Sequence, residues 1–203
     1  MPDEAPILSP QQRAALLALA RRAIRERVRG VVSVSALPTD SALQQPGAAF
    51  VTLTRDGALR GCIGFVRAVQ SLAETVRHCA VAAATADPRF PPVSGSELPH
   101  LHLEISVLSP LRRIDSVAGI QIGRHGLYIS QGSRHGLLLP QVATEYGWDR
   151  DTFLSHACLK AGLPGDAWRR GADIQVFTVD HFSDGRPLEE TAPAASDQLP
   201  LKP

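Results

Sequence analysis

The sequence has few cysteines, almost no net charge and no long apolar run. Its 203 residues include three cysteines, an odd number at wide spacing, which argues against a disulfide framework. Lysine plus arginine number 21 and aspartate plus glutamate 20, so bulk electrostatic capture of nucleic acid or an anionic membrane is not expected. No apolar stretch approaches the roughly 20 residues that span a bilayer. A hydrophobic content of 44% is enough to build a globular core.

Common cofactor and targeting motifs are also missing. The sequence contains no P-loop, no G-x-G-x-x-G turn, no C-x-x-C pair and no H-E-x-x-H helix, so nucleotide cofactors, zinc fingers and zincin chemistry have no support. The first ten residues, MPDEAPILSP, are acidic and proline-rich, unlike the basic start and apolar core of a signal peptide. We therefore expect a cytoplasmic protein without a cofactor and without membrane contact.

The secondary-structure signals favour hairpins over strand–helix–strand repeats. Asp56-Gly57 is a two-residue turn signal that predicts a hairpin over residues 50–66. Apolar and polar residues alternate over 101–108, and a final strand is predicted over 173–182. Capping boxes predict helices that begin after Ser9 and after Ser71. The fold class predicted is α+β, with a mainly antiparallel sheet and flanking helices.

The second strand of that hairpin carries an unusual stretch, ALRGCIGFV, at residues 58–66. Strict alternation places Leu59, Ile63 and Phe65 on a core face, and Arg60, Cys62 and Gly64 on the other face. A guanidinium near a thiol favours the thiolate and makes the cysteine nucleophilic. The alternative is that Cys62 is a small packed residue and that Arg60 pairs with an acid for structural reasons.

Five stretches occur in an order that is similar to a known family. They are LRGCIG (59–64), DPRFPPV (87–93), LEISVLSP (103–110), GLLLPQVATEYGWD (136–149) and KAGLP (160–164). Together they resemble the AMMECR family, called AmmeMemoRadiSam system protein A in prokaryotes. The resemblance implies two unequal lobes with a cleft near the LRGCIG strand, and an association with radical-SAM and Memo-like proteins. It implies no settled reaction.

The resemblance also sets the predicted domain limits. It covers residues 8–183, with a larger lobe built around 50–66, 101–108 and 173–182. The smaller lobe is assigned to 111–170, with its limits left open. Proline, alanine and acidic residues predict a disordered tail over 184–203.

The candidate site combines these stretches. Cys62 is predicted as a nucleophile or acid, Glu104 as a base or orienting carboxylate, and Arg60 and Arg89 as anion-binding groups. In addition, Gly61 and Gly64 would admit a close backbone or ligand, Phe90 would anchor the loop of Asp87 and Arg89, and Gln141 would sit at a helix N-terminus that attracts anions. The alternatives are that Arg89 pairs with Asp87 or caps helix carbonyls.

A metal site at His100, His102 and Glu104 is disfavoured. Imidazole and carboxylate are suitable ligands, but His100 directly follows Pro99, where strand geometry is doubtful. No bound metal is expected.

Three functions are compatible with this sequence. The first is a cleft enzyme, or its substrate-binding subunit, acting on a small anionic metabolite or modified nucleotide. The second is a non-catalytic adaptor that binds a partner protein or peptide in the same cleft. The third is RNA binding through the turns at 123–126 and 133–136, which is disfavoured because those turns lack interleaved aromatic residues.

Overall fold

The computed structural model describes residues 8–31 and 36–189 and contains two four-stranded antiparallel sheets. The helices are α1 (Pro10–Val28), α2 (Leu72–Thr85), α3 (Pro140–Glu145) and α4 (Arg150–Lys160). The strands are β1 (Ala48–Arg55), β2 (Ala58–Phe65), β3 (Leu101–Leu108), β4 (Arg112–Arg113), β5 (Gly126–Gln131), β6 (Arg134–Leu138), β7 (Asp173–Phe177) and β8 (Val179–Pro187). The predicted antiparallel α+β class is confirmed.

The first sheet has the order β2-β1-β3-β8 and is covered by α1 and α2 on one face. Alternate strand residues, among them Val51, Leu53, Leu103 and Ile105, are buried against those helices. The opposite residues of the same strands, such as Thr52 and Glu104, are half-buried. One face of this sheet is therefore core, and the other is available for polar groups.

Both long helices begin where the sequence predicts. Ser9 and Ser71 accept hydrogen bonds from the backbone N–H groups of Gln12 and Glu74, whose side chains reach back to complete capping boxes. Helix α2 is rich in alanine on its buried side, so it can approach the sheet closely. That close approach fixes the backbone of β2, as the site geometry makes clear.

The second sheet has the order β4-β7-β5-β6 and a core of its own. Leu127 and Ile129 of β5 pack with Phe153 and Leu154 of α4. A third, smaller cluster joins Leu108 at the end of β3 to Phe177 at the end of β7. The two sheets thus meet through apolar side chains at their strand ends.

The interpretation of residues 173–182 as one strand is wrong. β7 pairs with β4 and β5 in the second sheet, whereas β8 pairs with β3 in the first. The change of sheet occurs at Thr178, whose backbone N–H donates to Ser109 Oγ and whose carbonyl accepts from the Ser109 N–H, both at 3.0 Å. Ser109, which follows β3, therefore supplies the hydrogen bonds of Thr178 at the break between β7 and β8. Alternation alone predicts a continuous strand there.

The chain also keeps its structure past residue 184, where a disordered tail was predicted to begin. Strand β8 continues to Pro187, Asp184 forms an ion pair with the buried Arg21, and Leu188 is buried in the core of the first sheet. Residues 190–203 of the predicted tail lie outside the described residues. In the ranges 8–31 and 36–189, no helix combines the length and apolar character that crossing a membrane requires.

Candidate functional site

A β-bulge sets the faces of β2. Thr54 pairs with Leu59, but Leu53 pairs with Gly61, so Arg60 is an extra residue in the ladder. An inserted residue reverses the alternation that precedes it. Leu59 is consequently 42% exposed rather than buried, whereas Ile63 and Phe65 pack on the core as predicted. The predicted position of Leu59 on the core face is therefore wrong.

Cys62 is held by its backbone at the edge of the first sheet. Its N–H donates to Asp87 Oδ2 at 2.8 Å, and its carbonyl accepts from Arg89 Nη2 at 3.3 Å. These two side chains occupy the hydrogen-bonding groups that a further strand would use at this position. The half-buried thiol accepts a hydrogen bond from Thr52 Oγ1 at 3.3 Å.

Asp87 and Arg89 form a bidentate ion pair. Arg89 Nε lies 2.9 Å from Asp87 Oδ1, and Arg89 Nη2 lies 2.7 Å from Asp87 Oδ2. These bonds to the Arg89 guanidinium hold the pKa of Asp87 well below its usual range. Asp87 is buried, but the Arg89 side chain is 50% exposed. Arg89 can therefore reach solvent or a ligand while it stays bound to Asp87.

Arg60 is directed to a different partner. It forms a bidentate pair with Glu97, with Nε to Oε1 at 2.8 Å and Nη2 to Oε2 at 3.2 Å. This pairing, with the N-H and hydroxyl of Ser94, lowers the pKa of Glu97 to about 2. The Arg60 side chain is only 12% exposed. Arg60 and Arg89 thus bind Glu97 and Asp87, and in the described part of the chain neither forms an ion pair with Glu104.

Phe90 links the two arginines. The guanidinium carbon of Arg60 lies 5.8 Å from the Phe90 ring centroid, and that of Arg89 lies 5.5 Å from it. Both distances fall in the range of cation–π contacts. The DPRF loop is thereby fixed to β2 by the hydrogen bonds of Asp87 and Arg89 to the Cys62 backbone and by the contact of Arg60 with the Phe90 ring.

Glu104 lies in one cross-strand row with Thr52 and Cys62. Thr52 pairs with Cys62 on one side and with Glu104 on the other. Two strand spacings, about 10 Å, therefore separate the thiol-bearing and carboxylate-bearing positions. Glu104 Oε2 also lies 3.8 Å from His181 Nε2, and His181 Nδ1 lies 3.0 Å from Ser106 Oγ. The open sheet face thus carries a thiol, a carboxylate and an imidazole.

The two glycines of the motif have packing roles. A Cβ on Gly61 would lie 2.1 Å from the carbonyl oxygen of Ala83, so α2 reaches the strand only because this residue is glycine. A Cβ on Gly64 would lie 2.2 Å from ring atoms of Phe50, which covers that position. Close approach was predicted at both, and protein groups rather than a ligand provide it.

Gln141 lies elsewhere. It is the second residue of α3, which packs against the second sheet, and its carbonyl accepts from Thr144 Oγ1. Among the described residues, no hydrogen bond connects Gln141 to Cys62 or Arg89. Helix α3 has six residues and packs against β5 of the second sheet.

The histidines near Glu104 do not form a ligand set with it. His100 is the last residue of a 3₁₀ helix (Gly95–His100), so only His102 and Glu104 share a face of β3. Across residues 8–31 and 36–189, no three histidine, cysteine or acidic side chains are grouped so that they could hold a metal ion.

Several residues of this arrangement were not identified from the sequence. Glu97 binds Arg60, Thr52 binds the thiol, and His181 and Ser106 stand beside Glu104. The alternation of β1 and β3 placed Thr52 and Ser106 on the polar face, but only the bulge brings Thr52 opposite Cys62. His181 gave no usable signal because the position of β8 beside β3 depends on the tertiary fold.

Comparisons with known proteins give one consistent family. The chain is 43% identical over 182 residues to Protein MK0488 of Methanopyrus kandleri, covering 85% of this chain and 88% of that protein. It is 42% identical over 198 residues to a protein of Thermofilum pendens, covering 89% and 93%. The crystal structure of Uncharacterized Protein PH0010 from Pyrococcus horikoshii matches with a TM-score of 0.79 at 40% identity, covering 85% of this chain and 91% of that one. The family model described as AMMECR1 matches residues 17–182, and the chain belongs to the AMMECR1 family.

Proposed function

We propose that the chain acts on a small molecule at the open face of the first sheet, around Cys62, as an enzyme or as the substrate-binding subunit of one. The supporting observation is the fixed setting of Cys62. Asp87 and Arg89 hold both of its backbone hydrogen-bonding groups, and its thiol is half-buried beside Thr52. A cysteine that is held rigidly but is still accessible is suited to covalent chemistry.

The remaining groups suggest the substrate class. Arg89 is half-exposed next to the Cys62 carbonyl, so it can bind an anionic group near the thiol. Glu104, with His181 beside it, would accept a proton from the substrate or orient one of its polar groups. It lies about 10 Å from Cys62 across the sheet face. We propose a small anionic metabolite or a modified nucleotide as the substrate. Arg60 supports the loop through Glu97 and Phe90 and does not bind the substrate in this proposal.

The proposal includes the radical-SAM and Memo-like partners that the resemblance implies, and the cytoplasmic location expected from the cysteine content and the N-terminal composition. A substrate or product of this site would pass between the chain and such partners.

The adaptor function is the second candidate, favoured by the edge of the first sheet. β2 is an edge strand, and the bulge exposes Leu59 close to the hairpin tip. An exposed apolar side chain at this tip can contact an apolar group of a partner, away from the Cys62 backbone groups that Asp87 and Arg89 occupy. In this case Cys62 would have no chemical role.

Alkylation with two reagents tests the anion-binding thiol. Iodoacetate and iodoacetamide both react when the thiolate sulfur attacks the methylene carbon and iodide leaves, and they differ in the charge of the attached group. If Arg89 binds the carboxylate of iodoacetate, the folded chain should favour iodoacetate over iodoacetamide at Cys62. The ratio of the two alkylation rates should then be higher in the folded chain than in the urea-unfolded chain. One partly solvated charge contact of about 1 kcal/mol corresponds to about fivefold.

Variants and an internal indicator complete the experiment. Arg89→Gln should return the ratio to the unfolded value, Arg89→Lys should keep part of it, and Arg60→Gln should leave it unchanged. Cys79 is buried, and burial raises the pKa of its thiol to about 12, so its labelling in any variant reports unfolding. A wild-type ratio equal to that of the unfolded chain, with Cys62 no faster than the buried Cys158, would reject the thiol site and favour the adaptor.

A further inference from the structure

An apolar cavity lies between the first sheet, the segments that precede β1 and α2, and the start of the second sheet. Its volume is about 630 Å³, within the range of small-molecule sites. Most of the side chains around it are aliphatic, including Leu8, Val66, Leu72, Leu108 and Leu111. No residue of the Cys62 arrangement lies among the described lining residues, so this cavity is separate from the proposed site.

The charge of the cavity wall is asymmetric. Among the described residues that line it, Arg67 is the single cation, and no carboxylate is present. Arg67 is exposed, and its side chain forms no hydrogen bond or ion pair with any described residue. An arginine at the rim of an apolar cavity, without an acid to neutralise it, is suited to a carboxylate.

The shape of the wall favours a flexible, aliphatic body. The described lining residues include no aromatic side chain, so a planar ring would find no stacking partner there. Aliphatic side chains instead offer dispersion contacts and apolar burial to a hydrocarbon chain. The ligand class that matches both the wall and the rim is therefore an amphipathic monoanion.

The wall is fixed by backbone hydrogen bonds. The Gly47 N–H donates to the Gln70 carbonyl at 3.1 Å, and the Gly47 carbonyl accepts from Thr75 Oγ1 at 2.9 Å. The Leu72 N–H donates to the Gln45 carbonyl at 2.8 Å. A Cβ on Gly47 would lie 2.7 Å from the Leu72 Cβ, so these two segments are in close contact. The cavity is therefore preformed, which lowers the entropic cost of binding.

We propose that this cavity binds an aliphatic monocarboxylate, with the carboxylate on Arg67 and the hydrocarbon chain against Leu72, Leu108 and Leu111. The site is independent of Cys62, so its failure would leave the proposed thiol function untouched. Conversely, loss of the thiol function would not affect this binding.

Calorimetric titration with octanoate and with octan-1-ol tests the proposal, because the two probes share a chain and differ in charge. Octanoate should bind more tightly than octanol to the wild-type chain. Arg67→Gln should weaken octanoate binding about fivefold, because Arg67 is exposed and its contact with the carboxylate is partly solvated, and should leave octanol binding unchanged. Arg27→Gln removes an exposed arginine of α1 outside the cavity and should change neither.

A cavity-filling variant tests the location. Ala68 is an exposed lining residue, so Ala68→Trp should reduce the binding of both probes without a loss of thermal stability. The proposal is overturned if octanoate does not bind at millimolar concentration, if Arg67→Gln and wild type bind it equally, or if Ala68→Trp binds both probes as the wild type does.

Discussion

Asp87 is the carboxylate on which the setting of Cys62 depends, and its replacement by asparagine is the sharpest test of that arrangement. Its Oδ1 accepts hydrogen bonds from the backbone N–H of Arg89 at 3.1 Å and from the side-chain Nε of Arg89 at 2.9 Å. Its Oδ2 accepts from the Cys62 N–H at 2.8 Å and from Arg89 Nη2 at 2.7 Å. Asp87→Asn keeps the shape but converts one acceptor oxygen into an NH₂ group that faces donors.

The expected cost follows from that geometry. Whichever oxygen is replaced, two hydrogen bonds to a charged carboxylate are lost. Each such bond contributes about 1.5–3 kcal/mol, but Arg89 is half-exposed and water will compensate part of its loss. We expect the free energy of unfolding to fall by about 2–4 kcal/mol, or the melting temperature by roughly 5–15 °C for a chain of this size.

The pH dependence provides a second measurement on the same variant. Because the pKa of Asp87 is lowered in the folded state, its contribution is fully present above the unfolded pKa of about 3.9 and is lost as the pH falls below it. The stability difference between wild type and Asp87→Asn should therefore be constant from about pH 5 to pH 8 and should narrow below about pH 4.

Urea unfolding at several pH values measures both effects, and a matched control is available. Asp173 pairs with Arg113 at the surface, with side-chain exposures of 35% and 75%, so Asp173→Asn should cost less than about 1 kcal/mol. If Asp87→Asn is no less stable than Asp173→Asn at pH 7, the buried carboxylate does not hold the DPRF loop to Cys62. A difference that does not narrow in acid would refute the electrostatic explanation.

Three further outcomes are expected. Gly61→Ala should destabilise the chain by about 1–3 kcal/mol in urea unfolding, because its Cβ would meet a backbone carbonyl of α2 at 2.1 Å, while Gly119→Ala, with nothing within 4 Å, should be nearly neutral. Glu97→Gln should lower the free energy of unfolding at pH 7, and the stability difference from wild type should shrink as the pH falls from about 4 towards 2. The pKa of Glu97 is lowered in the folded state, so the stability that its carboxylate contributes is present above the unfolded pKa and is lost in acid. A stability difference that stays constant down to pH 2 would contradict the ion pair with Arg60. Cys79 should react with iodoacetamide only after unfolding, because a thiol pKa of about 12 leaves roughly a thousandfold less thiolate than the ordinary 9.0; labelling of Cys79 in the folded chain at the rate of Cys62 would contradict its burial.

The sequence by itself determined the local elements. The capping residues Ser9 and Ser71 mark the two helix starts, and Asp56-Gly57 marks the hairpin turn, because these signals act within a few residues of the chain. Alternation of apolar and polar residues also identifies the buried face of β3. The five sequence stretches indicate the AMMECR family, to which the chain belongs. The pairing of Asp87 with Arg89 was also among the alternatives, since two residues of one stiff loop can meet without help from the fold.

Tertiary packing decided what alternation could not. The bulge at Arg60 places Leu59 on the exposed face, and Arg60 forms an ion pair with Glu97. One inserted residue reverses which face the preceding side chains of a strand occupy. The bulge cannot be recognised from the local sequence, because it depends on the packing of α2 against Gly61. In the same way, Thr178 transfers the chain from one sheet to the other and places His181 beside Glu104. Long-range contacts fix both features, because the energy that selects them comes from groups far apart in sequence.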